Sequence, residues 1–240
     1  QNWLTSQALR DARSGTMPVR ISAQRIVDLA LEHGARIVVS SYNEPLITAE
    51  WAVAVFRLAK ASGLKTAFVS NGNATPEVLD FIRPFTDGYK IDLKTFNDRK
   101  YRFLGVPLKN VLDGIEMVFS RGFWLEIVTL IVPGWNDSKD EIAAAARFLR
   151  DLSPDIPWHF TAFHKDYKMW DPDDAEPEHL IRAADIAREA GMRFVYCGNL
   201  PGMVGDNENT YCPQCRSLLI ERRGFTILRN RVKADGHCPD

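Results

Sequence analysis

What most limits the fold of this chain is an alternation. Short apolar runs that read as strands stand at residues 36–41, 65–70, 89–93, 123–132, 157–163 and 192–197. Between them come segments with helical periodicity at 21–34, 48–63, 75–82, 97–104, 111–122, 138–152 and 177–191. Connections between most of these are short. Strand and helix in alternation build a parallel sheet flanked by helices, and about six such units predict a barrel or partial barrel. No repeat, linker or low-complexity stretch interrupts the pattern before about residue 205. After Gly205 the texture changes to Asp-Asn-Glu-Asn, a Cys-x-x-Cys, two short apolar stretches around Arg222-Arg223-Gly224, and Cys238-Pro239-Asp240. The expected organisation is therefore a larger domain over 1–205 and a small element over 206–240.

Composition narrows the class. The chain has 240 residues, 45% of them hydrophobic and 25% charged, enough for a sizeable core. A formal charge of -1 gives no global attraction to nucleic acid or to an anionic membrane, so neither is an expected partner. No apolar run approaches the roughly 18 residues that span a bilayer, and there is no secretory signal. Four cysteines do not make a disulfide scaffold, and Cys212-Pro-Gln-Cys215 suits a metal or redox role in a reducing compartment. That points to the cytoplasm. The chain opens at Gln1 rather than at Met, and reads as a fragment.

The strands end in polar residues. Val38-Val39-Ser40-Ser41-Tyr42-Asn43-Glu44-Pro45 begins as a buried parallel strand would, then turns small and polar, with Pro45 expected to stop the strand. A carboxylate at the carboxyl end of a buried strand is costly unless something binds it. Ser70 and Asn71, Asp92 and Lys94, Glu126 and Thr129, and His164 stand on or just past other strands. Alternation puts Asp92 and Lys94 on one face. In a parallel barrel these groups converge on one mouth, where ligands bind. The set suits a zwitterion: Glu44 for an ammonium, Lys94 and His164 for a carboxylate or hydroxyls. An amino acid carrying a ribose is one such ligand.

Taken in order, Tyr42-Asn43-Glu44-Pro45, Ser70-Asn71-Gly72, Asp92-Leu93-Lys94, the run Ile131 to Asp137 (Ile-Val-Pro-Gly-Trp-Asn-Asp) and Phe163-His164 resemble radical S-adenosylmethionine (SAM) enzymes of the pyruvate formate-lyase activating type. Trp158-His159-Phe160, Asp166 to Met169, Cys197 to Gly202 and the C-terminal Cys-Pro-x-Cys make the AmmeMemoRadiSam-system proteins the most similar group. The resemblance implies a partial (β/α)6 barrel. It also implies a [4Fe–4S] cluster on a Cys-x-x-x-Cys-x-x-Cys loop. The reduced cluster cleaves SAM to methionine and a 5′-deoxyadenosyl radical, which takes hydrogen from a substrate. Tyr42, Asn43, Glu44, Ser70, Asn71, Asp92, Lys94, Thr129 and His164 are the SAM-contacting set so implied, with Glu44 taking the ammonium.

The three-cysteine loop does not occur in the chain. In the family its third Cys stands just before Gln-Asn-Trp, so it is expected immediately ahead of Gln1, and no catalytic cysteine is assigned within the chain. Val69 occupies a position where the activating enzymes carry an acid. The substrate is expected to be a partner protein, a Memo-like system partner included, or a small molecule.

Cys212, Cys215 and Cys238 read as two knuckles of a truncated four-cysteine site, zinc being the expected metal. Reduced thiols without metal and a redox Cys-x-x-Cys are the other readings. Cys197 is expected to be a small buried hydrophobe. Two further functions fit parts of the pattern. One is a (β/α)-barrel lyase in which Lys94 forms a Schiff base. The other is a non-catalytic scaffold that docks a partner through the knuckle.

Overall fold

The computed structural model describes residues 2–240. Six strands form one sheet in the order β1 (Ile37–Ser40), β2 (Lys65–Ser70), β3 (Gly88–Asp92), β4 (Trp124–Ile131), β5 (Trp158–Ala162) and β6 (Val195–Gly198). The β1–β2, β2–β3, β4–β5 and β5–β6 pairs are parallel. Eight α-helices accompany them among the described residues: α1 (Trp3–Ser6), α2 (Ala23–Glu32), α3 (Ala49–Ala61), α4 (Pro76–Ile82), α5 (Asp98–Phe103), α6 (Leu108–Ser120), α7 (Lys139–Leu152) and α8 (Pro177–Glu189). This is the α/β class that the alternation predicts. The chain divides into two compact units. One runs up to Leu93 and includes Asp98–Glu126 and Asp166–Lys168; the other holds Lys94–Asn97, Ile127–Lys165 and Met169–Asp240.

Helix starts follow local chemistry. The Ser22 hydroxyl accepts from Arg25 N at the head of α2, Thr75 from Val78 N at α4, and Ser138 from Glu141 N at α7. Each occupies a backbone N–H that has no partner inside the helix. Asp140 and Glu141 add negative charge to the first turn of α7, which suits the helix dipole.

In the first unit Phe56, Phe68, Tyr89 and Phe123 form a chain of rings with centroids 5.2, 6.0 and 5.6 Å apart. Burying rings of this size contributes about 2–3 kcal/mol each. Asp87 ties the amino ends of β2 and β3 to α3: its carboxylate accepts from Lys60 Nζ at 2.8 Å and Thr66 N at 2.9 Å. α6 approaches the turn after β2 so closely that a Cβ on Gly114 would sit 1.9 Å from the Gly72 carbonyl oxygen. In the second unit Trp158 and Phe160 pack at 4.5 Å, with Ile127, Ile131, Leu149 and Leu180 buried.

Four expectations need correction. Among the described residues β1 is not buried: it pairs only with β2, and Ile37 and Val39 are 46% and 43% exposed. An edge strand has a neighbour on one side alone. Nor does Pro45 end β1. The strand stops at Ser40, because Tyr42 and Asn43 take left-handed φ of 67° and 47°, which no strand accommodates. Pro45 instead opens a 3-10 turn, Pro45–Thr48. Glu126 is not a strand-end residue. It is the third residue of β4, near the strand's amino end, and accepts from Trp124 Nε1 at 2.8 Å. The last strand of the six-stranded sheet starts at Val195 rather than Met192.

The segment after Gly205 is a three-stranded antiparallel sheet of β7 (Thr210–Tyr211), β8 (Leu218–Arg223) and β9 (Thr226–Asn230). Arg223-Gly224-Phe225-Thr226 is its β8–β9 hairpin turn, with Gly224 at φ 57°. Glu208 is buried and accepts from Gly202 N at 2.8 Å and Gly224 N at 2.6 Å, fastening the turn.

Candidate functional site

Glu44 is the best-organised of the expected residues. The left-handed Tyr42-Asn43 pair turns the chain after β1 and brings the Glu44 side chain across to the end of β2. There Oε1 accepts from Ser70 Oγ at 2.8 Å and Oε2 from Asn71 N at 2.7 Å. Leu46 N adds a longer bond of 3.3 Å to Oε1. Ser70 Oγ in turn accepts from Gly72 N at 3.1 Å. A carboxylate has about four acceptor positions. Three are used by Ser70, Asn71 and Leu46.

Asp92 ends β3 and forms an ion pair with Lys90 Nζ at 3.0 Å. Lys90 is not among the residues that the strand ends predict. Its signal was available, since residues two apart on a strand share a face. Lys94 lies in the other unit, where its carbonyl accepts from Asn136 Nδ2 at 2.7 Å. Asn136 is buried; its amide also donates to Leu130 O, and its Oδ1 accepts from Val132 N. Thr95 Oγ1 and Phe96 N both donate to Glu141 Oε1 at the head of α7. Residues 94–97 are thus held by the Pro-Gly-Trp-Asn-Asp turn after β4 and by the next helix. Asn136 and Glu141 are positioning residues that strand-end reasoning does not find, because both stand past a turn.

Thr129 lies inside β4 on the face of Ile127 and Ile131, and its hydroxyl accepts from Trp158 Nε1 at 3.0 Å. His164 follows β5, is exposed, and has Nδ1 3.2 Å from Lys165 O. Both stand in the second unit. Near the amino end, Tyr167 stacks on Trp3 with centroids 4.9 Å apart and donates to Asp11 Oδ2 at 3.0 Å. The Arg13 guanidinium grips the same carboxylate and holds it well below the usual carboxylate range. The segment ahead of Gln1, where the cluster cysteines are expected, and Gln1 itself lie outside the described residues.

The Sγ atoms of Cys212, Cys215 and Cys238 lie within 4.8 Å of one another, those of Cys215 and Cys238 at 3.6 Å. Thiolates about 2.3 Å from a tetrahedral zinc are about 3.8 Å apart, so the group fits a thiolate-bound metal. Two turns build it. Cys212 N donates to Ser217 O and Arg216 N to Cys212 O, with Arg216 at φ 64°; the second turn closes through Lys233 N to His237 O. Ser217 draws the Cys215 thiol down to about 7. Cys197 is different: it is buried in β6, donates to Leu180 O, and burial pushes its thiol up to about 12.

Residues 9–149 match the Radical SAM superfamily, and the chain belongs to it. An uncharacterized protein of Methanocaldococcus jannaschii is 34% identical over 227 residues, 94% of this chain and 66% of its own. The pyruvate formate-lyase 1-activating enzyme of Escherichia coli is 26% identical over 173 residues, 66% of this chain and 70% of that enzyme. A domain of a pyruvate-formate lyase-activating enzyme from Bacteroides vulgatus superposes with a TM-score of 0.59 at 24% identity, over 68% of this chain and 98% of the domain. This last likeness concerns the fold. The chain spans just under two thirds of the length of the archaeal relative. Among the described residues no helix is long and apolar enough to cross a membrane.

Proposed function

We propose that the protein is a radical SAM enzyme of the activating-enzyme type, with Glu44 as the receptor for the SAM ammonium. The observation that carries this reading is the Glu44 carboxylate at the carboxyl end of β1, clasped by Ser70 Oγ and Asn71 N. Membership of the superfamily implies a [4Fe–4S] cluster and SAM. Bound together, these supply one-electron cleavage of SAM and abstraction of a hydrogen atom from the substrate.

The chain's own part is binding and orientation. Glu44 keeps an open acceptor position for a charged N–H, a bond stronger than a neutral one. Ser70 and Asn71 stop it from swinging away, so little order is lost on binding. Tyr42 and Asn43, whose left-handed turn positions Glu44, are included in the proposed SAM contacts. Asp92, Lys94, Thr129 and His164 complete the proposed SAM contacts, with Thr129 the most committed to its own core. The substrate is proposed to be a polypeptide, as the name of the activating enzyme suggests for that relative, and affiliation with the AmmeMemoRadiSam system rests on the shared motifs. Zinc is the proposed occupant of the three-thiol group, and a thiolate-bound metal suits a reducing compartment such as the cytoplasm.

The test is anaerobic reconstitution of the full-length protein with iron and sulfide. About four irons per chain, and 5′-deoxyadenosine released on adding SAM and dithionite, are expected. A reconstituted protein without iron would sink the reading.

A further inference from the structure

β9 is the last strand of the C-terminal sheet, and among the described residues β8 is its only strand partner. All five of its residues are exposed. Ile227 and Leu228 are 57% and 58% exposed, and Phe225 at the turn is fully so. An apolar strand edge of this kind is a template for pairing with another chain, and proteins ordinarily blunt it. Here the blunting is by charge of one sign. From Arg216 to Lys233 stand Arg216, Arg222, Arg223, Arg229, Arg231 and Lys233 against Glu221 alone, in a chain whose formal charge is -1.

Not all of that charge is free. Arg222 is built into the sheet, donating to Thr210 Oγ1 at 2.7 Å and Glu208 O at 3.2 Å, and Arg231 pairs with Asp240 at 3.0 Å. Arg216, Arg223, Arg229 and Lys233 are exposed, Arg229 standing across from Glu221 of β8. Cations along an apolar edge repel a second copy of the same edge and attract an acidic strand. They act as a filter on what pairs there.

We infer that the outer edge of β9 docks an extended acidic segment of a partner polypeptide by strand addition. Main-chain hydrogen bonds would supply affinity, while Arg229 and Lys233 select acidic side chains and Leu228, on the face opposite Arg229, takes apolar ones. The inference does not depend on the reaction proposed above.

A fluorescein-labelled peptide of alternating glutamate and valine, titrated with the full-length protein, tests it by anisotropy. Saturable binding is expected, weakened about tenfold or more by Arg229→Glu and again by Lys233→Glu. Hydrogen exchange on the unmodified protein should show new protection across residues 226–230 when the peptide binds, a readout independent of how the variants fold. Absence of peptide binding overturns the proposal. So does equal binding of a glutamate–proline peptide, which carries the charge but cannot pair. Tighter binding of oligothymidylate would reassign the surface to nucleic acid. Self-association abolished by Ile227→Thr would reassign it to a second copy.

Discussion

Glu44 shows how one side chain can serve the fold and the proposed chemistry at once. Its oxygens join the end of β1 to the end of β2, so the site is part of the sheet's own fastening. Two substitutions separate the roles. Glu44→Gln loses the charge and one of the two accepting oxygens; SAM affinity measured by calorimetry on the full-length protein should fall at least about tenfold, with a stability loss of about 1 kcal/mol from the N–H left facing the amide nitrogen. Ser70→Ala removes a donor to Glu44 and the acceptor for Gly72 N. It should cost about 1–3 kcal/mol in urea unfolding as well as affinity. An unaltered SAM affinity in Glu44→Gln would remove the residue from the site.

Motif order made Glu44, Ser70 and Asn71 legible in the sequence, since each sits one or two residues past an apolar run. Lys90, Asn136 and Glu141 were not, for different reasons. Lys90 looks like any half-exposed strand residue until its ion pair with Asp92 is seen. Asn136 and Glu141 act across turns, on atoms 42 and 46 residues away. No local pattern encodes such distances.

Among the elements, α6 depends on one missing side chain. Glycine in mid-helix costs about 1 kcal/mol relative to alanine. At position 114 the cost is offset by the approach of α6 to the Gly72 carbonyl, where a Cβ has no room. Gly114→Ala should therefore destabilise, against the intrinsic helix preference, by about 3 kcal/mol or more as backbone is forced apart. Denaturant midpoints would check the sign, and a stabilised variant would refute the packing.

The amino end of β3 carries a pH dependence. Burial works against charge on Asp87, but the bonds from Lys60 and Thr66 outweigh it and its pKa is lowered. A carboxylate held below its unfolded value stabilises the fold above that value, about pH 4, and loses the contribution as pH falls through the lower folded value. Asp87→Asn should reduce stability by about 1 kcal/mol at neutral pH and flatten the acid limb of the stability–pH curve. Parallel unfolding curves for the two proteins across pH 2–7 would contradict this.

At the scale of the whole molecule, the C-terminal sheet has a thin core. β7 has two residues, β8 is half-buried up to its exposed last residue Arg223, and β9 is exposed along its length. So small an antiparallel sheet needs a staple. The three thiols supply the ligands for one, and metal binding to such a group is also folding energy. Elemental analysis should find one zinc per chain, lost in Cys212→Ser. Chelation should raise hydrogen exchange across residues 210–230 and leave the six-stranded sheet protected. Equal loss of protection in both sheets would show that they do not unfold separately.

The order of strands and helices, the helix caps, the Cys-x-x-Cys turn and the polar strand ends are written locally in the sequence. Periodicity, capping and turn chemistry act over a few residues, so a single chain displays them. Tertiary structure alone decided that Ile37 and Val39 of β1 are exposed among the described residues, that Glu126 lies at the amino end of its strand, and that Gly114 meets Gly72. Cys238 joins Cys212 and Cys215 as the two knuckles predict, whereas the pairing of β9 with β8 alone among the described residues is a tertiary result. Such tertiary results depend on which residues distant in sequence become neighbours, and neighbourhood is settled by packing the entire chain.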